Sequence, residues 1–252
     1  MKIGIIGTGA IGGTIAKKML MAGHDVKVTN TDGGEKLNTR ARELGAKPSD
    51  IENVVSDVDV IILSVPTVAI PSLPKGLFSN VPNEVIIVDT SNYYPFRDEE
   101  IEELKNGKVE SVWVSEQIGR PVIKAFNNLL AETLINGGKK QGAENRIAMA
   151  ISGDDDKSKK LVSSLANDAG YDTVDAGALS ESWRHQPGTP AYCTELDVKD
   201  LSNALSDADK DKAASIRDFV ISKFMGGDGP ATHQGVIELN RAQFPKNPKT
   251  TS

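Results

Sequence analysis

The chain has 252 residues, and its 29 basic and 35 acidic side chains give a net charge of −6, which argues against a general nucleic-acid-binding protein. A single cysteine, Cys193, excludes an intramolecular disulfide and fits a reducing compartment. No apolar run is close to the length of about 18 residues that a membrane-spanning helix needs. The chain begins with a predicted strand, which leaves no room for a signal peptide. We therefore expect a cytoplasmic protein with no nucleic-acid or membrane partner.

A glycine pattern near the start of the chain follows an apolar strand and precedes a helix. The pattern is G-x-G-x-x-G, and a helix-forming segment (Thr14–Ala22) and a second strand (Asp25–Thr29) come after it. This is the order of parts in a dinucleotide-binding βαβ unit. Gly7 would permit the tight turn, Gly9 the approach of a pyrophosphate, and Gly12 close packing of helix and strand. The alternative is a glycine-rich turn in an unrelated α/β protein.

Strands and helices alternate along most of the chain that follows. Near-continuous valine, isoleucine and leucine predict strands buried on both faces, over Asp57–Leu63, Glu84–Asp89, Pro121–Phe126 and Arg146–Ile151, with a short strand over Tyr171–Asp175. The predicted helices are Glu35–Leu44, Pro95–Asn106, Val109–Ile118 and Asp155–Ala169. This alternation predicts an α/β fold with a Rossmann-type, doubly wound and mainly parallel sheet.

The sequence changes in character near residue 176. Helical segments over Ala178–Arg184, Leu196–Leu205 and Lys210–Phe224 are predicted around the loop Gln186–Pro190, whose two prolines and glycine cannot sustain a helix. From Gly226 onward, Gly, Pro, Asn, Lys and Thr are frequent, which is typical of a mobile or docking arm. The predicted division is a dinucleotide-binding domain over 1–176 and a small C-terminal helical lobe with its tail over 177–252.

The residues that directly follow each strand define the candidate site, because ligands of open parallel sheets bind outside the carboxyl ends of the strands. These segments are the glycine loop, 30–32, 64–66, 89–95 and 126–128. Thr90 and Ser91 are equally well explained as caps of helices or turns. We interpret Asn92–Pro95 and Asn127 as ligand contacts, since paired tyrosines beside a turn offer flat apolar surface with hydroxyl groups.

Residue types needed for several kinds of catalysis are scarce. No arrangement of His, Cys or carboxylates predicts a metal site, and no G-x-S-x-G elbow predicts a hydrolase. We expect His24 to be structural and Cys193 to be a small buried residue, while His233 lies in the tail. His185 is the only candidate acid–base histidine. Because hydride transfer needs few or no protein proton donors, the sequence favours that chemistry and we assign no catalytic side chain.

Taken together, the segments resemble the family of deazaflavin-linked NADP oxidoreductases, the NADPH-dependent reductases of coenzyme F420 and their bacterial relatives. The resemblance covers residues 1 to about 205, with matching segments at 7–12, 30–31, 64–66, 89–95, 119–127, 152–155, 175–179 and 186–190. It implies a Rossmann domain with a small C-terminal lobe and a nicotinamide cofactor across the sheet. A homodimer is also implied.

The resemblance also implies roles for individual residues. The loop between the glycines (Thr8, Gly9, Ala10, Ile11) would hold the pyrophosphate, and the segment from Thr31 to Lys36, after Asn30, the adenosine 2′-phosphate. Two segments would flank the nicotinamide, namely Ser64, Val65, Pro66 and Ala125, Phe126, Asn127. The acceptor would lie in a cleft closed by the C-terminal lobe, and we place Asn92, Tyr93, Trp183 and Tyr192 on that side.

Asp32 departs from the pattern of the family. Relatives usually carry an arginine after the residue that matches Thr31, where its guanidinium can fork onto the 2′-phosphate. An aspartate instead brings like charges together. Lys36 could still neutralise a phosphate, and the glycines at 33 and 34 could turn Asp32 toward solvent. We predict NADP as cofactor with a weakened preference over NAD, or outright NAD use, and the alternative is a surface aspartate without a cofactor role.

The sequence therefore predicts an NAD(P)-dependent oxidoreductase that moves hydride between nicotinamide and a planar small-molecule acceptor, with the 5-deazaflavin F420 as one candidate. Two alternatives stay open. The first is a reductase of a different acceptor, such as an imine or a flavin. The second is a sensor or scaffold protein that binds NAD(P) without turnover.

Overall fold

The computed structural model describes residues 1–244, and parallel strands form its centre. The strands are β1 (Lys2–Ile6), β2 (Asp25–Thr29), β3 (Lys47–Pro48), β4 (Val60–Leu63), β5 (Ile86–Asp89), β6 (Ile123–Lys124), β7 (Ala148–Ile151) and β8 (Asp172–Asp175). The first six form one parallel sheet in the order β3-β2-β1-β4-β5-β6. Strands β7 and β8 form a separate parallel pair, which an antiparallel bridge between Lys124 and Ser152 joins to β6.

Helices connect these strands and form the C-terminal part of the described chain. They are α1 (Ala10–Met21), α2 (Gly34–Leu44), α3 (Ile51–Val54), α4 (Pro95–Asp98), α5 (Glu102–Lys105), α6 (Glu110–Ile118), α7 (Ala131–Asn136), α8 (Asp156–Asp168), α9 (Val198–Ser206), α10 (Lys210–Met225) and α11 (His233–Ala242). Two 3-10 segments cover Thr67–Ser72 and Leu179–His185. Within residues 1–244, no helix combines the length and the apolar composition that a membrane crossing needs.

The predicted fold class is confirmed, and the packing explains why the strand sequences are apolar throughout. Alternate residues of β4 enter two different cores, with Val60 and Ile62 on one face of the sheet and Ile61 and Leu63 on the other. The first core includes Ile15 of α1. Because helices cover both faces, successive side chains are all removed from water, so no polar alternation marks these strands.

Several predicted elements differ from the observed ones. The helix predicted over Pro95–Asn106 is two single turns, because Glu99 has a φ of 58° between them. The strand predicted over Pro121–Phe126 keeps only two residues in the sheet. The strand predicted from Arg146 pairs with β8 rather than extending the main parallel sheet. The short elements β3, α3 and α7 were not predicted, since two to six residues carry no readable periodicity.

Part of the predicted C-terminal arm is a helix that packs on the rest of the chain. Thr232 caps α11 by accepting a hydrogen bond from the Gly235 amide, and Ile237 is fully buried. Arg241 donates to the backbone oxygens of Thr194 and Glu195 at 2.8 and 3.0 Å. Of the two alternatives, a mobile or a docking arm, α11 fits the docking arm, and residues 245–252 lie outside the described residues.

A third core joins β7 to α9. Ala148 and Ala150 of β7 pack with Leu201, Ala204 and Leu205 of α9, while the other face of β7 contributes Met149 and Ile151 to the first core. The predicted division into 1–176 and 177–252 stays a prediction. This core contains residues from both sides of that boundary, so we expect the two parts to unfold together.

Replacing Leu201 by alanine tests that expectation. The side chain is only 1% exposed, and its loss should lower the free energy of unfolding by about 2–5 kcal/mol in a single transition. Val198→Ala on the exposed face of the same helix is the matched control, with an expected loss below about 1 kcal/mol. Urea denaturation followed by circular dichroism and tryptophan fluorescence measures both. A separate early transition with the main one unchanged would instead support two independent units.

Candidate cofactor and acceptor site

The glycine loop turns sharply between β1 and α1, and two of its glycines pack against neighbouring backbone. Gly7 has a φ of 102°, and a Cβ placed on it would lie 2.1 Å from the Ser64 carbonyl oxygen. A Cβ on Gly12 would lie 2.1 Å from the Gly7 oxygen. Side chains at either position would push α1 away from β1 and β4, so both glycines are required by the packing itself.

Gly9 has a different environment. No atom lies within 4 Å of the position that its Cβ would occupy. It precedes the first turn of α1, which has neither a side-chain cap nor an acidic residue. The first amide groups of a helix lack partners within the helix, and the helix dipole favours an anion at this end. The loop from Thr8 to Gly12 therefore has both the space and the donors that a pyrophosphate requires.

Asn30 and Arg40 connect the glycine loop to the loop after β2. The Asn30 amide donates to Thr8 Oγ1 at 2.9 Å and accepts from the Asp32 and Gly33 amides at 3.1 and 3.3 Å. Arg40 donates through Nε and Nη2 to the Thr8 carbonyl at 3.2 and 3.1 Å. Arg40 was missed in the sequence, where its spacing of four residues from Lys36 on one helix was the available signal.

The three residues predicted to contact the adenosine side lie at the surface. Thr31, Asp32 and Lys36 are all exposed beside the glycine loop. Gly33 and Gly34 have φ values of 61° and 48°, which sets the course of the loop after Asp32. The side chain of Asp32 is open to solvent, so its effect on cofactor choice stays a prediction.

Residues after β4 and β6 differ in what they can offer a cofactor. Ser64, Val65 and Pro66 lie partly exposed beside the glycine loop, and Ser64 Oγ is 3.1 Å from the Cβ position of Gly12. Ala125 and Phe126, in contrast, are fully buried with their side chains in the first core. Contacts of Ala125 and Phe126 with a nicotinamide would therefore come from their backbone atoms.

Asn92 and Asn127 follow β5 and β6 and form a hydrogen-bonded chain with His185 of the second 3-10 segment. Asn127 and His185 are buried, and Asn92 is half-buried. Asn127 Nδ2 donates to Asn92 Oδ1 at 3.0 Å, and Asn92 Nδ2 donates to the Asn127 carbonyl at 3.0 Å. Asn127 Oδ1 accepts from His185 Nδ1 at 2.9 Å, so His185 Nε2 accepts from Ser152 Oγ, also at 2.9 Å. The chain fixes both amide side chains in one orientation.

His185 does not fit the acid–base role for which it was the candidate. Its side chain is completely buried, and this burial lowers its pKa to about 3. The imidazole therefore stays neutral at physiological pH, with both nitrogens occupied by Asn127 and Ser152. Its role in this structure is to position Asn127.

Tyr93 is wrongly placed by the sequence interpretation. Its ring is 2% exposed and belongs to the second core, while its hydroxyl donates to the Glu99 carbonyl and accepts from the Ile101 amide. Adjacent residues of an extended segment point in opposite directions. The neighbouring Tyr94 is the residue that faces the candidate acceptor side.

Tyr94 and Tyr192 bring their hydroxyl groups together at 2.5 Å. Asn92 Nδ2 lies 3.4 Å from the Tyr192 hydroxyl, which links the pair to the amide chain. Burial raises the pKa of both tyrosines, so both hydroxyls keep their protons. The structure thus brings Asn92 and Tyr192 together with Tyr94. Trp183 lies half-buried in the 3-10 segment, stacked with Arg184 at 4.5 Å, and stays a predicted acceptor contact.

A buried ion pair lies beneath the loops that follow β5 and β6. Lys124 and Asp89 are both fully buried and lie 3.1 Å apart. Asp89 also accepts from Ser111 Oγ at 2.6 Å, and Lys124 donates to the Ser91 carbonyl. Glu110 lies nearby, where burial raises its pKa to about 7 against the opposing effect of Lys124. None of these roles was predicted, since charged residues at strand ends are usually solvated.

The described residues contain one buried thiol and no candidate metal centre. Cys193 is buried, as predicted, and burial raises the pKa of its thiol to about 12. Among the described residues, no group of three or more His, Cys, Asp or Glu side chains is arranged to hold a metal ion.

We expect His185 to make stability depend on pH. Its pKa is lowered from 6.5 to about 3 in the folded protein, so the unfolded chain binds the proton first. The free energy of unfolding should therefore fall as the pH drops from about 6.5 toward about 3. His185→Gln should show a shallower fall over this range in urea titrations. Glu110 contributes the opposite slope in both proteins and cancels in the comparison. Equal slopes would contradict the prediction.

Comparison with known proteins adds a family match and one related sequence. A sequence model of the family described as NADP oxidoreductase, coenzyme F420-dependent, matches residues 2–93. The chain is 30% identical over 123 residues to protein YjhV of Escherichia coli (strain K12), which covers 49% of this chain and 82% of that protein.

Three solved structures illustrate the similarity in fold. A hypothetical protein from Sinorhizobium meliloti, SMa0349, has a TM-score of 0.66 and 28% identity over 78% of this chain and 95% of that chain. A "putative f420 dependent nadp-reductase" from Arthrobacter sp. FB24 has a TM-score of 0.58 and 20% identity, covering 72% and 87%. An imine reductase variant from Myxococcus stipitatus has a TM-score of 0.52 and 14% identity, covering 96% and 72%. The last two show the fold alone.

Proposed function

Since the chain belongs to the family of coenzyme F420-dependent NADP oxidoreductases and is therefore an NAD(P)-dependent oxidoreductase, we propose that it transfers hydride between NAD(P)H and a planar small-molecule acceptor. The observation that carries the proposal is the open space at Gly9, before the first turn of α1, at the same edge of the parallel sheet as the Asn92–Asn127 pair that follows β5 and β6. The family description makes the 5-deazaflavin F420 the first candidate acceptor.

The proposed cofactor position runs from the loop after β2 to the end of β6. The backbone of the glycine loop would hold the pyrophosphate, with Arg40 adding positive charge through its contact with Thr8. Ser64–Pro66 and the backbone at Asn127 would border the nicotinamide. When bound, the cofactor supplies the hydride. The residues of the chain hold the two reactants and exclude water, which is the larger protein contribution in this chemistry.

An imine, which takes a hydride at carbon and a proton at nitrogen, is the second candidate acceptor. The Tyr94–Tyr192 hydroxyl pair favours it, because the two half-buried phenols keep their protons and lie beside the Asn92–Asn127 pair. The third candidate function is that of a protein that binds NAD(P) without turnover.

We also propose that the protein forms a homodimer. The exposed apolar side chains of Phe219, Phe224 and Met225 of α10 support this proposal. We propose no nucleic-acid or membrane partner.

Gly9→Val tests the cofactor site and the activity together. Valine would fill the open space and should raise the Kd for NADPH at least about tenfold, equivalent to about 1.4 kcal/mol. Calorimetry measures binding, and the oxidation of NADPH with F420, FMN or a cyclic imine measures turnover. Thermal unfolding checks that the variant is folded. Unchanged NADPH binding by a folded Gly9→Val variant contradicts the proposed cofactor site. If the native protein binds NADPH but turns over none of the three acceptors, the result supports the alternative of a sensor protein.

Asp32→Arg tests the cofactor preference. Arginine should raise the ratio of kcat/KM for NADPH over NADH at least about tenfold, because a guanidinium can pair with the 2′-phosphate. Glu52→Arg, on the exposed surface of α3, is the control with the same change of charge and an unchanged ratio. If the native protein strongly prefers NADPH and Asp32→Arg has no effect, Arg40 and Lys36 are the residues to test as phosphate ligands.

A further inference from the structure

A pocket lies between the loops after β5 and β6 and the C-terminal helices. Its lining includes Tyr94, Leu130, Pro187, Tyr192, Arg217 and Phe224, and its volume is about 290 Å³. An apolar cavity of about 150 Å³ is large enough for benzene. The pocket therefore has room for about two fused aromatic rings.

Contact between the Gln186–Pro190 loop and α10 shapes this pocket. Gly188 has a φ of 86°, and a Cβ on it would lie 1.9 Å from the Ala213 oxygen and 2.8 Å from the Arg217 nitrogen. Only a glycine lets the loop approach the helix backbone so closely. This approach places Arg217 of α10 at the pocket, on the same side as the strand-end loops.

Arg217 is a largely buried cation with unused donors. Its side chain is 13% exposed, and its Cζ lies 5.7 Å from the centre of the Tyr93 ring. Its Nε donates to Asp218 at 2.8 Å, and Asp218 is itself 61% exposed. Among the described residues, the two Nη groups have no hydrogen-bond partner. The charge of Arg217 also opposes the rise in the pKa of the buried Glu110. A largely buried guanidinium whose Nη groups have no hydrogen-bond partner is suited to a carboxylate, whose two oxygens match its fork.

The Tyr94–Tyr192 hydroxyl pair is a second polar feature of the same pocket. The two hydroxyls share one hydrogen bond between them, so one phenolic proton stays available to a ligand oxygen or nitrogen. Asn92 connects the pair to Asn127 at the end of β6. The pocket therefore adjoins the region where the nicotinamide is proposed to lie.

We propose that this pocket binds the acceptor and selects a planar molecule of about two rings that carries a carboxylate, with the carboxylate at Arg217 and a carbonyl, hydroxyl or imine group at the tyrosine pair. The inference rests on the proposed function, since it takes the nicotinamide to lie beside Asn92 and Asn127. It narrows the substrate class from planar acceptors in general to planar carboxylates.

Calorimetric titrations of the native protein, saturated with NADP⁺, test the charge selectivity. The probes are 2-naphthoate, its neutral amide and 2-naphthyl phosphate. We expect 2-naphthoate to bind at least about tenfold tighter than the amide. It should also bind tighter than the phosphate ester, because one guanidinium in a mostly apolar pocket offsets the desolvation of one negative charge but not of two. Arg217→Gln should bring the ratio of naphthoate to amide close to one. Lys212→Gln removes a positive charge from the exposed surface of the same helix and should keep the native ratio.

A fourth probe, 6-hydroxy-2-naphthoate, tests the tyrosine pair. A 6-hydroxyl group on 2-naphthoate lies opposite the carboxylate, and we expect it to tighten binding several-fold in the native protein. Tyr94→Phe should abolish that gain while keeping the preference for the carboxylate over the amide. Equal binding of naphthoate and amide by the native protein overturns the proposal without needing any variant. Tighter binding of the phosphate ester overturns the assignment to carboxylates.

The same titrations separate failure of this inference from failure of the proposed function. Binding of NADP⁺ is measured first, and the probes are then titrated with and without it. Loss of NADP⁺ binding contradicts the proposed function but leaves the naphthoate ratio readable. If NADP⁺ binds normally and the native protein binds 2-naphthoate and its amide equally well, only the assignment of the pocket is contradicted.

Discussion

The buried pair of Lys124 and Asp89 is the interaction on which the site geometry depends. Both side chains are removed from water, a cost that only close pairing and further hydrogen bonds can offset. Lys124 meets this condition by bonding Asp89 and the Ser91 carbonyl, while its backbone bridges to Ser152 and so joins β6 to the second sheet. The ion pair therefore fixes the loop after β5 relative to β6, and with it the positions of Asn92 and Asn127. Removing one partner would leave an uncompensated charge directly beneath the site.

Much of the fold could be predicted from the sequence because its signals are local. The glycine spacing after β1 and the unbroken apolar strands require only a short window of residues, and both correspond to the observed parallel sheet. The pairing of β7 with β8 could not be predicted, because an apolar strand has the same sequence pattern in either sheet. The helix α11 was not predicted, because the composition of the chain after Gly226 is typical of loops. Its cap at Thr232 and buried Ile237 depend on contacts with distant parts of the chain.

The structure brings together only some of the residues that the sequence assigns to the candidate site. The rule that ligands bind at the carboxyl ends of strands selected Asn92 and Asn127, which the structure brings into mutual hydrogen bonds. That rule could not distinguish Tyr93 from Tyr94, since the choice depends on which face of an extended segment points into the second core. Arg40 and Arg217 were missed for a related reason. Each reaches its position through helix packing. The spacing of Arg40 from Lys36 indicates a shared helix face, but it does not indicate what the guanidinium contacts.

The contribution of α10 and α11 to the pocket has a consequence for how this protein can diverge. The glycine loop and the strand ends lie in the first part of the chain, whereas Arg217, Phe224 and Asn240 line the pocket from the C-terminal helices. Substitutions on these helices can reshape one end of the pocket without disturbing the packing that Gly7 and Gly12 require. Under the proposed function, selection can therefore act on acceptor choice and on nucleotide binding through separate sets of positions. Substitutions in the last third of the chain can then change the acceptor while the proposed nucleotide site is retained.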